Sequence, residues 1–153
     1  MNNSPSRTAL SRPLKWFYLL VLFALVFSGF GQMPIFKRYY LADLPGLAWT
    51  ADYYVTLVIH YLAAASLLGL IAYYLVSQAL RRELWPPQDG PAWVRAFLLL
   101  VMLASGSILA ARNLSWVHLP PRLIVAATLT HVTTTMVFLL AAATYFRFGR
   151  RKA

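Results

Sequence analysis

The chain has 153 residues, 60% of them hydrophobic and only 12% charged, a balance that a soluble domain of this size seldom carries. Its net charge of +10 would suggest nucleic acid in a soluble protein, but here the basic residues stand at the edges of apolar blocks. Membrane topology accounts for them and no nucleic-acid partner is expected. The absence of cysteine excludes disulfides, thiolate-held iron–sulfur clusters and covalently attached haem c.

In chain order, the first apolar block predicts a helix over about 14–31, with Pro13 suited to its first turn. No small-residue cleavage site follows it, so it is expected to be retained. A connector over 32–52 holds the breakers Pro34, Pro45 and Gly46, many aromatics, and Lys37 and Arg38. The second helix is expected over about 53–80, with tyrosine pairs near both ends as interfacial belts. Pro86, Pro87, Asp89 and Gly90 mark the next loop, and a third helix follows over about 92–111. A short loop, 112–121, leads to a fourth helix over about 122–146. Each block is long enough to span a bilayer. The predicted fold is an all-α membrane protein, a four-transmembrane-helix bundle forming one membrane domain over 1–153.

Ten of the fourteen basic residues lie on one side of this arrangement, in the N-terminal tail, the 81–95 region and the C-terminal tail. Lys37, Arg38, Arg112 and Arg122 lie on the other. The positive-inside bias puts both termini in the cytoplasm and the loops 32–52 and 112–121 outside. A bacterial inner membrane would make those loops periplasmic.

Every Asp, Glu, Lys and Arg falls in a loop or at a helix end. Of the groups that titrate near neutrality, only His60 and His131 fall inside the spans, and an ionisable residue there is a functional hypothesis by default. Both lie early in helices that run inward, at roughly 10–14 Å below the outer boundary at 1.5 Å per residue. Thr56, Ala63 and Ala64 share a face with His60, and Ala127, Thr128, Thr134 and Thr135 surround His131. Small side chains leave room for a flat macrocycle, and they equally allow close helix packing with nothing bound. The threonine hydroxyls are candidates to hold the imidazole tautomers. Two histidines without carboxylates or thiolates under-coordinate zinc or iron alone. A porphyrin supplies four nitrogens itself, so His60 and His131 suit the axial positions of one haem b. The competing reading is that each histidine simply hydrogen-bonds to a neighbouring helix.

His118 lies in the outer loop beside Trp116 and is either an interfacial surface residue or a quinone or proton contact. Arg38, Arg112 and Arg122, with Lys37, are candidates to pair with haem propionates, or are ordinary interfacial cations.

The pattern resembles the cytochrome b (gamma) subunits that anchor periplasmic formate dehydrogenases and nickel–iron hydrogenases. The resemblance lies in the four-helix array, the Ser-Gly-Phe-Gly-Gln-Met-Pro segment at 28–34, the aromatic connector, and the early His60 and His131. It implies an outer haem that exchanges electrons with an extrinsic iron–sulfur subunit. Two-haem members carry a further histidine in helix 1 and another deeper in helix 4. Helix 1 here has none, and the position about four turns beyond His131 is Tyr145. The resemblance therefore implies a single-haem variant, with any menaquinone or ubiquinone bound in the outer half. The expected role is electron transfer between an extracytoplasmic iron–sulfur subunit, itself served by a catalytic subunit, and the quinone pool. The alternative is a haem-free membrane anchor or assembly subunit of a larger respiratory complex.

Overall fold

A computed structural model describes residues 11–33, 41–80 and 90–149. Among them the chain is helical and contains no strand. Four long helices, α1 (Arg12–Gly31), α2 (Tyr53–Leu80), α3 (Gly90–Ala111) and α4 (Pro121–Gly149), account for most of it. All four include a stretch long and apolar enough to cross a membrane, so the chain is a multi-pass membrane protein. The expected boundaries hold to within a few residues, α2 over its whole length.

Contacts group the chain into two compact units, Met1–Leu84 and Trp85–Ala153. In the first, α1 packs on α2. Pro13 lies in the first turn of α1, where a missing N–H costs nothing. The helix closes with Gln32 N–H bonding to Ser28 O at 3.1 Å and Met33 N–H to Phe30 O at 2.9 Å. The connector then makes two 3-10 turns, Leu41–Asp43 and Ala48–Ala51. Between them Leu47 N–H reaches Leu44 O at 3.0 Å. Pro45 and Gly46 occupy the central positions of this turn, and Gly46 has φ +83°. That is a type II turn, where Pro presets the first central φ and only glycine takes the second without strain.

The second 3-10 turn folds against α1. Trp49 lies 5.6 Å from Phe27, centroid to centroid, and Thr50 is buried with its hydroxyl on Leu47 O at 2.6 Å. Asp52 ends that turn in an extended conformation and caps α2. Its carboxylate accepts the N–H groups of Tyr54 at 2.8 Å and Val55 at 3.3 Å. These two donors have no partner inside the helix, so the cap matters energetically. Asp52→Ala should lower the stability of the detergent-solubilised protein by about 1 kcal/mol, measured by denaturant titration of the helical circular dichroism.

In the second unit, α3 packs on α4. The loop between them descends through turns, with Asn113 N–H on Ala110 O and Val117 N–H on Leu114 O. Pro120 O accepts the N–H groups of Leu123 and Ile124, and Pro121 opens α4. The contact surfaces in both units are built from small residues. Ser28, Gly31, Thr56 and Ala63 are buried in the first, and Ser105, Ala127 and Thr134 in the second. Large apolar side chains such as Leu20, Phe23, Leu62, Leu100 and Leu129 are exposed instead. This inverts the soluble pattern, because lipid leaves no hydrophobic incentive to hide leucine, and close backbone approach holds the helices together.

Candidate functional site

His60 lies on the face of α2 that meets α1, between Thr56 one turn before and Ala63 one turn after. Its Nδ1 is 3.0 Å from the hydroxyl of Ser28 on α1. A serine has one proton to donate, and that of Ser28 goes to Ala24 O in its own helix, with Leu25 O at 3.3 Å as a second acceptor. Ser28 Oγ therefore accepts, and His60 Nδ1–H donates. Next to it Gly29 leaves space for the ring. A Cβ there would lie 3.4 Å from His60 Cε1.

His131 repeats this construction on α4, between Ala127 and Thr134 at the same spacing. Its Nδ1 is 3.2 Å from the Ser105 hydroxyl and 3.1 Å from Met102 O on α3. A carbonyl cannot donate, so Nδ1 must carry the proton. Ser105 gives its own proton to Val101 O at 2.7 Å, which again leaves an accepting oxygen for the imidazole. Gly106 takes the place that Gly29 has in the first unit, and a Cβ there would lie 3.1 Å from His131 Cε1.

The Met102 carbonyl thus holds His131 as the Nδ1–H tautomer, and the Ser28 bond to Ala24 O favours the same form at His60. In that tautomer the basic lone pair resides on Nε2, the form in which a histidine binds a metal while its other nitrogen donates to the protein.

Thr56, Thr128 and Thr135 do not have the role expected of them. Thr56 donates to Tyr53 O at 2.9 Å and Thr128 to Ile124 O at 2.8 Å, both within their own helices. Thr135 donates to His131 O at 2.7 Å and lies 3.3 Å from Met102 Sδ, so it braces the histidine's backbone and the opposing methionine. The imidazoles meet the serines of the opposing helices, and His131 also meets Met102 O. A signal for them existed: the dipeptide Ser-Gly occurs only twice in the chain, once in the helix before each histidine-bearing helix.

No family model, curated protein or solved structure matches the chain. The family resemblance therefore stands on the sequence features alone, and the two histidine sites carry the functional argument.

The remaining candidates are placed as follows. Arg112, His118 and Arg122 are all exposed in or beside the α3–α4 loop. Arg122 is nine residues before His131 on the same helix, about 13 Å along its axis. Arg38 and Lys37 lie outside the described residues. Among the described residues no group of three or more His, Asp or Glu side chains gathers to hold a bare metal ion.

Proposed function

We propose that the chain is a membrane b-type cytochrome subunit that transfers electrons through one haem b, with His60 and His131 as its axial ligands. The observation that carries this reading is the matched state of the two imidazoles. Each Nδ1 faces an acceptor on the opposing helix, Ser28 Oγ for His60 and Met102 O with Ser105 Oγ for His131, which favours the tautomer whose ligating nitrogen is Nε2. The donor set fits a porphyrin, which asks the protein for two neutral nitrogen ligands and no carboxylate or thiolate. When bound, such a haem accepts and releases one electron as its iron cycles between ferric and ferrous.

The chain's own residues would supply ligation and insulation. With His60 and His131 both holding the iron, no open position would remain, which would disfavour oxygen chemistry and suit electron transfer. Arg112 and Arg122, with Arg38, would offer charged hydrogen bonds to propionates. The resemblance to the formate dehydrogenase and nickel–iron hydrogenase gamma subunits supports a partner of matching type. In that assignment an extracytoplasmic iron–sulfur subunit, served by a catalytic subunit, exchanges electrons with the haem. Menaquinone or ubiquinone is the membrane partner, in a bacterial inner membrane with both termini cytoplasmic. His118, exposed in the α3–α4 loop, is the residue proposed to contact quinone or carry its proton.

A dithionite-reduced minus oxidised spectrum of the purified protein tests the central claim. The α-band of a low-spin b haem is expected, and its absence from protein carrying its full complement of cofactors would refute the reading. His118→Ala should keep the band at wild-type intensity, because an exposed loop residue is no part of the ligand pair.

One observation favours a second reading. The Ser28–His60 and Ser105–His131 bonds each join two helices, so they would also serve a haem-free membrane anchor. His→Gln separates the two. A glutamine amide can still donate across the helix pair but does not replace imidazole as an iron ligand. An anchor would keep its assembly and partner activity with glutamine at both positions.

A further inference from the structure

The same device occurs once in each unit. A Ser-Gly step on the first helix of a hairpin receives a histidine from the second. In both cases the serine hydroxyl is committed to the carbonyl four residues earlier in its own helix, Ala24 or Val101. In both cases the histidine is flanked by small residues four before and three after it, Thr56 and Ala63 or Ala127 and Thr134, and these are buried. The glycine after the serine lies against the imidazole edge, with a built Cβ 3.4 Å from the ring at Gly29 and 3.1 Å at Gly106.

We propose that Ser28 is a positioning residue that sets the tautomer and ligand strength of His60, that Ser105 does the same for His131 together with Met102 O, and that Gly29 and Gly106 set the ring orientation. The role of the serines as potential-tuning groups rests on the haem reading, whereas their role as tautomer-setting groups does not. A hydroxyl that has already donated its proton can only accept from the imidazole. Accepting from Nδ1–H makes Nε2 a stronger electron donor. A stronger donor favours ferric over ferrous iron, so each serine is expected to hold the reduction potential down. Alanine at either serine should therefore raise it. The glycines act differently. A methyl group at Gly106 would approach His131 more closely than nearly all real Cβ contacts allow, so the ring must turn or retreat. At Gly29 the same change makes only a close ordinary contact.

The test uses the full-length chain with 15N-labelled histidine in lipid, before haem loading and again in the diamagnetic ferrous state. Wild-type protein should show Nδ1–H resonances for both membrane histidines. Ser28→Ala should alter the His60 resonances alone, and Ser105→Ala those of His131 alone and by less, because Met102 O still accepts from His131 Nδ1–H. Each variant should raise the haem midpoint potential and weaken haem retention by about 10–100-fold. Gly106→Ala should shift the g-values of the ferric electron paramagnetic resonance spectrum more than Gly29→Ala. Unchanged resonances and potential in both serine variants would overturn the proposal. Tautomer shifts in a protein that takes up no haem would uphold the serines' role and remove the cofactor reading alone.

Discussion

If His60 and His131 hold one haem b as proposed, replacing either with alanine is expected to abolish the reduced b-type band, with the two single variants equally severe. Haem b is held without a covalent bond, so removing one of two axial ligands removes both a bond and the low-spin state. The loss should exceed the about 10–100-fold weakening typical of removing a supporting hydrogen bond. The helices themselves tolerate the change, since alanine is the strongest helix former. Circular dichroism should therefore stay near wild type while the absorption disappears. A retained band in either variant would exclude that histidine as a ligand. Glutamine at the same position sharpens the comparison, because it preserves a donor for Ser28 or Ser105 without offering an imidazole. Loss of the band with retained assembly would separate ligation from helix bridging.

The second large effect concerns the close approach of α1 and α2. A Cβ on Gly31 would lie 3.0 Å from Thr56 Cγ2, and Thr56 is wholly buried. Two terms of opposite sign compete in Gly31→Ala. Alanine gains up to about 1 kcal/mol of helix propensity, and less at a helix end. Overpacking a closed contact costs about 1–3 kcal/mol. The contact dominates because Thr56 donates to Tyr53 O and is β-branched, so its methyl group has little freedom to turn away. Gly69→Ala provides the control, because a Cβ there meets nothing within 4 Å. It should be neutral or stabilising by up to about 1 kcal/mol. Unfolding in mixed micelles, followed by helical circular dichroism, should move in opposite directions for the two variants. A destabilised Gly69→Ala or an unaffected Gly31→Ala would show that the hairpin is not held by this approach.

Both predictions draw on residues that differ in how visible they are along the chain. His60 and His131 stand out because they alone titrate near neutrality within apolar blocks. Gly31 looks like an ordinary helix terminator until Thr56 is placed against it. The Pro45-Gly46 pair announces a break, but the type II turn and the seating of Trp49 on Phe27 depend on where the chain returns to α1. Arg112, Arg122 and His118 are legible as loop residues, and the structure finds them exposed, as their polarity requires. The threonines around His131 were the natural candidates for its support because they are near in sequence. Thr128 and Thr135 bond within their own helix, and Thr135 also braces Met102 on its neighbour, since a helical threonine reaches the preceding carbonyls easily.

The two histidines therefore divide along a physical line. Composition and block length alone determine that the chain has four helices able to cross a membrane and that two neutral bases lie within them. Apolar length is a property of one segment, and so is the absence of charge from it. The state of those bases is a property of pairs of helices. Ser28 and His60 are 32 residues apart, and Ser105 and His131 are 26 apart. Only the packing of α1 on α2 and of α3 on α4 brings each serine to its histidine. The serine's prior bond to its own backbone makes it an acceptor, and with Met102 O beside His131 this favours the lone pair of each imidazole on Nε2.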